Sequence, residues 1–70
     1  MKVYIVKGGD TLSEIAEREL GDHRIWPTLY QINSSIIRRD PRNRAARKRF
    51  GGEPADWIFP NQVLLLPFAG

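Results

Sequence analysis

The stretch Tyr4-Ile-Val-Lys-Gly-Gly-Asp-Thr-Leu-Ser-Glu-Ile-Ala16 constrains this chain's fold more than any other part of it. Apolar residues alternate up to Lys7, two glycines break the run, and an acid-threonine pair follows. From Leu12 onward the apolar spacing switches to the helical period. That pattern predicts a strand, a tight turn and a capped helix in immediate succession. The strand reads as Val3 to Lys7, with Tyr4 and Val6 on one face and Val3 and Ile5 on the other. Gly8-Gly9 marks a turn that needs positive φ or close backbone approach. Thr11 with Glu14 fits a capping box, and Asp10 adds a carboxylate near the positive end of the helix dipole, so either Asp10 or Thr11 is the cap. Leu12, Ile15, Ala16 and Leu20 form one buried stripe of a helix over 11–20, with Glu14 and Arg18 paired on its outer face and Gly21 ending it.

Seventy residues make one domain, close to the size at which a single core barely suffices. The absence of cysteine excludes a disulfide framework and any cysteine-based metal or redox site. Seven aromatics are enough to anchor a small core. No apolar run approaches the roughly 20 residues that a membrane span requires. The start, Met-Lys-Val-Tyr, carries no signal-peptide pattern. Synthesis in the cytoplasm is the expectation, with later incorporation into a virion tail or release to the cell wall.

The remaining elements are a second helix and a closing strand. Asp22 to Asn33 reads as the helix, with its regular part starting near Trp26-Pro27 because proline suits only a first turn. Trp26, Leu29, Tyr30 and Ile32 give it an apolar face, and Asn33-Ser34-Ser35 is expected to end it. Val63 to Leu66 is a short apolar run between Asn61 and Pro67, of strand length.

In this order the residues resemble a LysM domain. The carrying residues are Tyr4-x-Val6, Gly9-Asp10-Thr11-Leu12, Ile15-Ala16, Gly21-Asp22, Trp26 and Asn33, then Ile58-Phe59-Pro60-Asn61-Gln62-x-Leu64-x-Leu66-Pro67. The resemblance covers about residues 3–33 and 56–67. It implies an α+β fold of βααβ type, a two-stranded antiparallel sheet with two helices on one side. Asn61 stands where the family usually has glycine, and asparagine tolerates a left-handed turn.

The other departure is an insertion at about 38–55. The connection from Asn33 to Pro60 exceeds the family's by roughly a dozen residues, past the length at which structureless loops become uncommon. Asp40-Pro41 is an N-cap followed by proline at the first helical position, and Arg42 to Arg49 holds strong helix formers. These signals predict a short extra helix at about 41–50, docked through Ala46 and Phe50, over the competing reading of a disordered arginine-rich loop. Arg38, Arg39, Arg42, Arg44, Arg47, Lys48 and Arg49 against Asp40 give this segment a local +6 in a chain of net +3, so the rest is −3. Whole-chain charge is therefore no argument for nucleic acid, which is not an expected partner. Taken singly these cations read as a solvated face, but together they suit an anionic counter-surface. A phosphate-bearing wall polymer, nucleic acid and an acidic protein surface all fit that description.

The resemblance further implies binding of N-acetylglucosamine-containing glycan such as peptidoglycan, in a shallow groove between the first strand-helix turn and the loop before the last strand. Carried over by position, Gly9, Asp10, Thr11 and Leu12 form one wall and Asp56, Trp57, Ile58 and Phe59 the other. Capping alone also accounts for Gly9-Asp10-Thr11, and Trp57 reads better as a tryptophan that packs the core or the insertion than as a platform for a sugar ring. His23 is the lone histidine, and no nucleophile–base set, paired-carboxylate signature or metal-ligand cluster is apparent, so neither catalysis nor a cofactor is expected. A second class of function fits the same features: a structural LysM-like module of a phage tail baseplate or contractile injection machine, binding other proteins through its groove or basic insertion.

Overall fold

A computed structural model describes residues 2–67 as an α+β unit: a two-stranded antiparallel sheet and three helices. Strand β1, Lys2–Ile5, pairs with β2, Val63–Leu66, in the register Lys2↔Leu66 to Ile5↔Val63. Two further bonds extend the pairing past Ile5: Val6 N–H donates to the Gln62 carbonyl at 2.9 Å, and Asn61 N–H to the Val6 carbonyl at 2.8 Å. The strand alternation holds, since Tyr4 and Val6 are buried while Val3 and Ile5 are more than half exposed. Gly9, with φ +85°, sits at the third position of a turn closed by a 3.1 Å bond from Asp10 N–H to the Lys7 carbonyl. Asn61 takes φ +73° in the turn before β2.

Helix α1, Leu12–Leu20, has Thr11 as its N-cap. The threonine Oγ1 accepts from Glu14 N–H at 3.2 Å and donates to the Glu14 carboxylate at 2.9 Å. Asp10 is not the cap. Its Oδ2 accepts from the Tyr4 hydroxyl at 2.6 Å and from Lys7 N–H at 2.9 Å, and its Oδ1 faces Arg18 Nη2 at 3.2 Å. Arg18 also donates to the Tyr4 hydroxyl at 2.6 Å. The expected Glu14–Arg18 pair is thus replaced: a largely buried carboxylate with a fixed phenol beside it offers arginine better partners than a solvated glutamate one turn away.

After a 3₁₀ turn at His23–Ile25, helix α2 runs from Trp26 to Arg39 and does not stop at Asn33-Ser34-Ser35. Burying Ile37 completely contributes about 2–3 kcal/mol. The three polar positions each cost only roughly 0.5 kcal/mol of helix propensity, so the helix continues through them. Asn33 adds to the gain. Its side chain is fully buried and donates to the Leu29 carbonyl at 2.9 Å and the Leu65 carbonyl at 2.8 Å, while its Oδ1 accepts from Leu65 N–H at 2.7 Å. One amide thereby satisfies both backbone groups of Leu65 that face away from β1.

Helix α3, Pro41–Phe50, is the expected extra helix, with the Asp40 carboxylate accepting from Arg42 N–H at 2.9 Å and Pro41 in its first turn. The insertion therefore starts inside α2. Of the two expected docking points, Ala46 is buried, but Phe50 is 67% exposed and leans on Trp57 with ring centroids 5.6 Å apart. The second docking point is Asn43, fully buried in a helix face too polar to have predicted it. The core is Tyr4, Val6, Leu12, Ile15, Ala16, Leu29, Ile37, Leu64 and Leu66, gathered from both strands and the first two helices. No described helix is long and apolar enough to cross a membrane.

Truncating Asn33 to alanine strands two backbone groups of Leu65 and leaves a void. The expected loss is about 3 kcal/mol in urea denaturation. Asn33→Asp keeps the shape but sets a carboxylate against two carbonyls, so its penalty should shrink on acidification, when the added proton restores one donor.

Candidate functional site

An open groove of about 260 Å³ lies between the start of α1 and the 3₁₀ turn at Pro54–Asp56, lined by Thr11, Leu12, Ser13, Trp26, Ala55 and Asp56. Capping puts Thr11 there, because a cap residue must leave the helix axis at its first turn. The first-turn amides of Leu12 and Ser13 have no hydrogen-bond partner among the described residues, as helix geometry leaves them. Trp26 reaches the groove because Pro27 fixes the start of α2 beside it, leaving the indole 38% exposed. The mixture is that of a small polar-apolar ligand seat: a hydroxyl, a carboxylate, free amides and an aromatic face.

The far wall hangs on α3. Asn43 Nδ2 donates to the Pro54 carbonyl at 2.8 Å and to the Trp57 carbonyl at 2.7 Å, and its Oδ1 accepts from Arg47 Nε at 2.9 Å. Within the turn, Glu53 N–H donates to the Asp56 carboxylate at 2.8 Å. Ala55 and Asp56 are held at the groove from behind by one buried amide.

Of the residues expected to form the two walls, Thr11, Leu12 and Asp56 come together in the groove, and Gly9, Asp10, Trp57, Ile58 and Phe59 do not line it. Asp10 is committed to Tyr4, Lys7 and Arg18. Trp57 serves the insertion, its indole N–H donating to the Gly51 carbonyl at 2.8 Å while its ring meets Phe50. Ile58 packs against the core. Phe59 lies under the Arg42 guanidinium, 4.9 Å from its ring centroid. Ser13, Trp26 and Ala55 line the groove although they lie outside the two expected walls. The proline after Trp26 was the available signal, since it places that indole at a helix start.

A second groove of about 420 Å³ shares Trp26 and Ala55 with the first and is lined further by Pro27, Tyr30, Arg38, Glu53 and Pro54. Among the described residues, no group of three or more histidine, aspartate or glutamate side chains is placed to hold a metal ion.

Asp10, Tyr4 and Asp40 lie outside the groove and serve the fold. Burial is the largest influence on Asp10 and raises its pKa. The bonds from Tyr4, Lys7 N–H and Arg18 outweigh it and hold the carboxyl below its ordinary value. Burial, then the hydrogen bond and charge of Asp10, push the Tyr4 phenol up. For Asp40 the hydrogen bonds from the Arg42 side chain act first and lower the carboxyl despite burial.

No family model matches the chain, and no solved structure matches it. A protein of Bacillus subtilis (strain 168), described as "Uncharacterized protein YqbP", is similar: 37% identical over 67 residues, covering 94% of this chain and 27% of the relative. The chain therefore spans little more than a quarter of the relative's length.

The Asp10 and Tyr4 shifts give opposite pH limbs. Asp10's depressed value means its contribution is present above the unfolded carboxylate value of about 4 and lost as pH falls through the folded one. Tyr4's raised value means a contribution present below about 10 and lost as pH rises through the folded one. Asp10→Asn is expected to cost about 1–2 kcal/mol at neutral pH and to flatten the acid limb, as read by urea midpoints across pH. Asn43→Ala should cost about 2 kcal/mol and speed amide exchange across residues 53–58 before the β1–β2 amides are affected.

Proposed function

We propose that this chain is a non-catalytic LysM-like binding module whose groove at Thr11, Leu12, Ser13, Trp26, Ala55 and Asp56 takes N-acetylglucosamine-containing glycan such as peptidoglycan. The observation that carries the reading is a groove between the capped start of α1 and the 3₁₀ turn at Pro54–Asp56, which joins Thr11 and Leu12 of one expected wall to Asp56 of the other. Chemically the fit is direct. An acetamido group presents a carbonyl for the free Leu12 and Ser13 amides, an N–H for the Asp56 carboxylate, and a methyl for Ala55 and the edge of Leu12. The exposed face of Trp26 offers a seat for a sugar ring.

A second reading is favoured by a separate observation. The outer face of the sheet is aliphatic and bare: Val3 is 58%, Ile5 56% and Val63 46% exposed, and the pairings Val3↔Leu65 and Ile5↔Val63 set them side by side. Contiguous apolar surface of this kind marks contact with another protein. It supports a structural module that assembles with other proteins, such as one of a phage tail baseplate or contractile injection machine.

Sedimentation with purified peptidoglycan distinguishes the two. Glycan binding predicts retention that Trp26→Ala weakens at least about tenfold and that Ser13→Gln, which narrows the groove, also reduces. Retention unchanged by both variants would remove the groove from the reading. A stoichiometric protein complex lost on Ile5→Thr and Val63→Thr, with no glycan retained, would establish the structural module in its place.

A further inference from the structure

The seven cations that the sequence presents as one patch are divided by the structure into two groups. Arg42 is held by Asp40, with Nη2 to Oδ2 at 2.8 Å and Nε to Oδ1 at 3.1 Å, donates to the Pro60 carbonyl at 3.3 Å, and covers Phe59. Arg47 is bonded to Asn43. Arg49 lies 5.3 Å from the centroid of the Phe50 ring. Arg38 lines the aromatic groove beside Trp26 and Tyr30. These four have work in the fold or at the other surface.

Arg39, Arg44 and Lys48 are different. None has an acidic side chain within 4.0 Å or a side-chain hydrogen bond among the described residues, and all three line a single cleft of about 270 Å³ floored by Pro41 and Ala45. Pro41, Arg44, Ala45 and Lys48 recur at i, i+3, i+4 and i+7, one face of α3. Arg39 reaches the same place from the end of α2, across the extended Asp40 at φ −66° and ψ 122°. No acidic residue lines the cleft. Three like charges around one concavity set up a local positive potential that attracts an anion.

We propose that Arg39, Arg44 and Lys48 form a binding site for the phosphodiester groups of a linear polyol-phosphate polymer, one that carries no bases. Three donors from two helices around one concavity suit a tetrahedral group with several acceptor oxygens, whereas one arginine already saturates a planar carboxylate. An acidic protein surface is the poorer match for that reason. Single-stranded nucleic acid is disfavoured because no aromatic lines the cleft to stack a base. A thin flexible polymer touches the cleft alone, its short polyol linkers passing over Pro41 and Ala45. The proposal stands apart from the glycan reading, since such a polymer presents no acetamido sugar.

Fluorescence anisotropy with labelled poly(glycerol phosphate) tests it. Three contacts to a flexible strand predict a log Kobs against log salt slope of about −2. The triple variant Arg39→Gln, Arg44→Gln, Lys48→Gln should weaken binding at least about tenfold at low salt and bring the slope near zero. Lys2→Gln, Lys7→Gln, Arg24→Gln, which removes the same charge elsewhere, should change affinity less than about twofold. Should the cleft triple lose its fold by circular dichroism, Arg44→Gln alone, on an exposed helix face, should still lower the slope by about 0.7. Equal losses in the two triples, a slope near zero for the unaltered chain, or tighter binding of charge-matched duplex DNA or polyglutamate would each overturn the proposal.

Discussion

The amide of Asn33 stands in for a third strand that the sheet does not have. A two-stranded ribbon is marginal in water because each strand keeps an unpaired edge. Here α2 supplies a donor and an acceptor to the Leu65 backbone, at 2.8 Å and 2.7 Å, from a side chain with no solvent exposure. That bond pair fixes the depth and rotation of α2 over the sheet at once. With α2 fixed, Leu29 and Ile37 can meet Ile15, Leu64 and Leu66 in one dry core. Few aliphatic contacts are available in a chain of this size, so a directional polar clamp settles an alignment that hydrophobic burial alone would leave loose.

Asn43 repeats the device one helix later. Apart from Ala46, α3 has little apolar surface to bury, and its attachment is a buried amide reaching the carbonyls of Pro54 and Trp57. The insertion thus acts as a buttress behind the far wall of the groove. Phe50, Trp57 and the Gly51 carbonyl close the other end of the same brace. A helix fastened in this way keeps its outer face free, and that is where the uncompensated cations lie.

Three surfaces of different chemistry result: a mixed polar-apolar groove around Trp26, a bare aliphatic sheet face, and a cationic cleft on α3. They draw on different residues, with no member in common. The sheet has one face in the core and one face of exposed valine and isoleucine.

Much of the backbone was legible in the sequence because it follows from local rules. The alternation at Tyr4 and Val6, a turn at Gly8-Gly9, a cap at Asp10 or Thr11, the stop at Gly21 and the Asp40-Pro41 helix start each depend on residues within a turn of one another. Part of the groove was legible for the same reason, since Thr11 and Leu12 are placed by the cap. Contacts between distant segments could not be read this way. Asn33 looks like a helix terminator until Leu65 is placed against it, Arg18 looks paired with Glu14 until Tyr4 and Asp10 are placed beside it, and Trp57 looks available until Phe50 and Gly51 take it. The sequence by itself determined the elements, their order and the charge of the insertion, since propensity, capping and periodicity act over a few residues. Only the tertiary structure decided which polar groups are spent inside the fold and which remain free for a ligand, because a buried amide or guanidinium takes whatever partner long-range packing brings within about 3 Å.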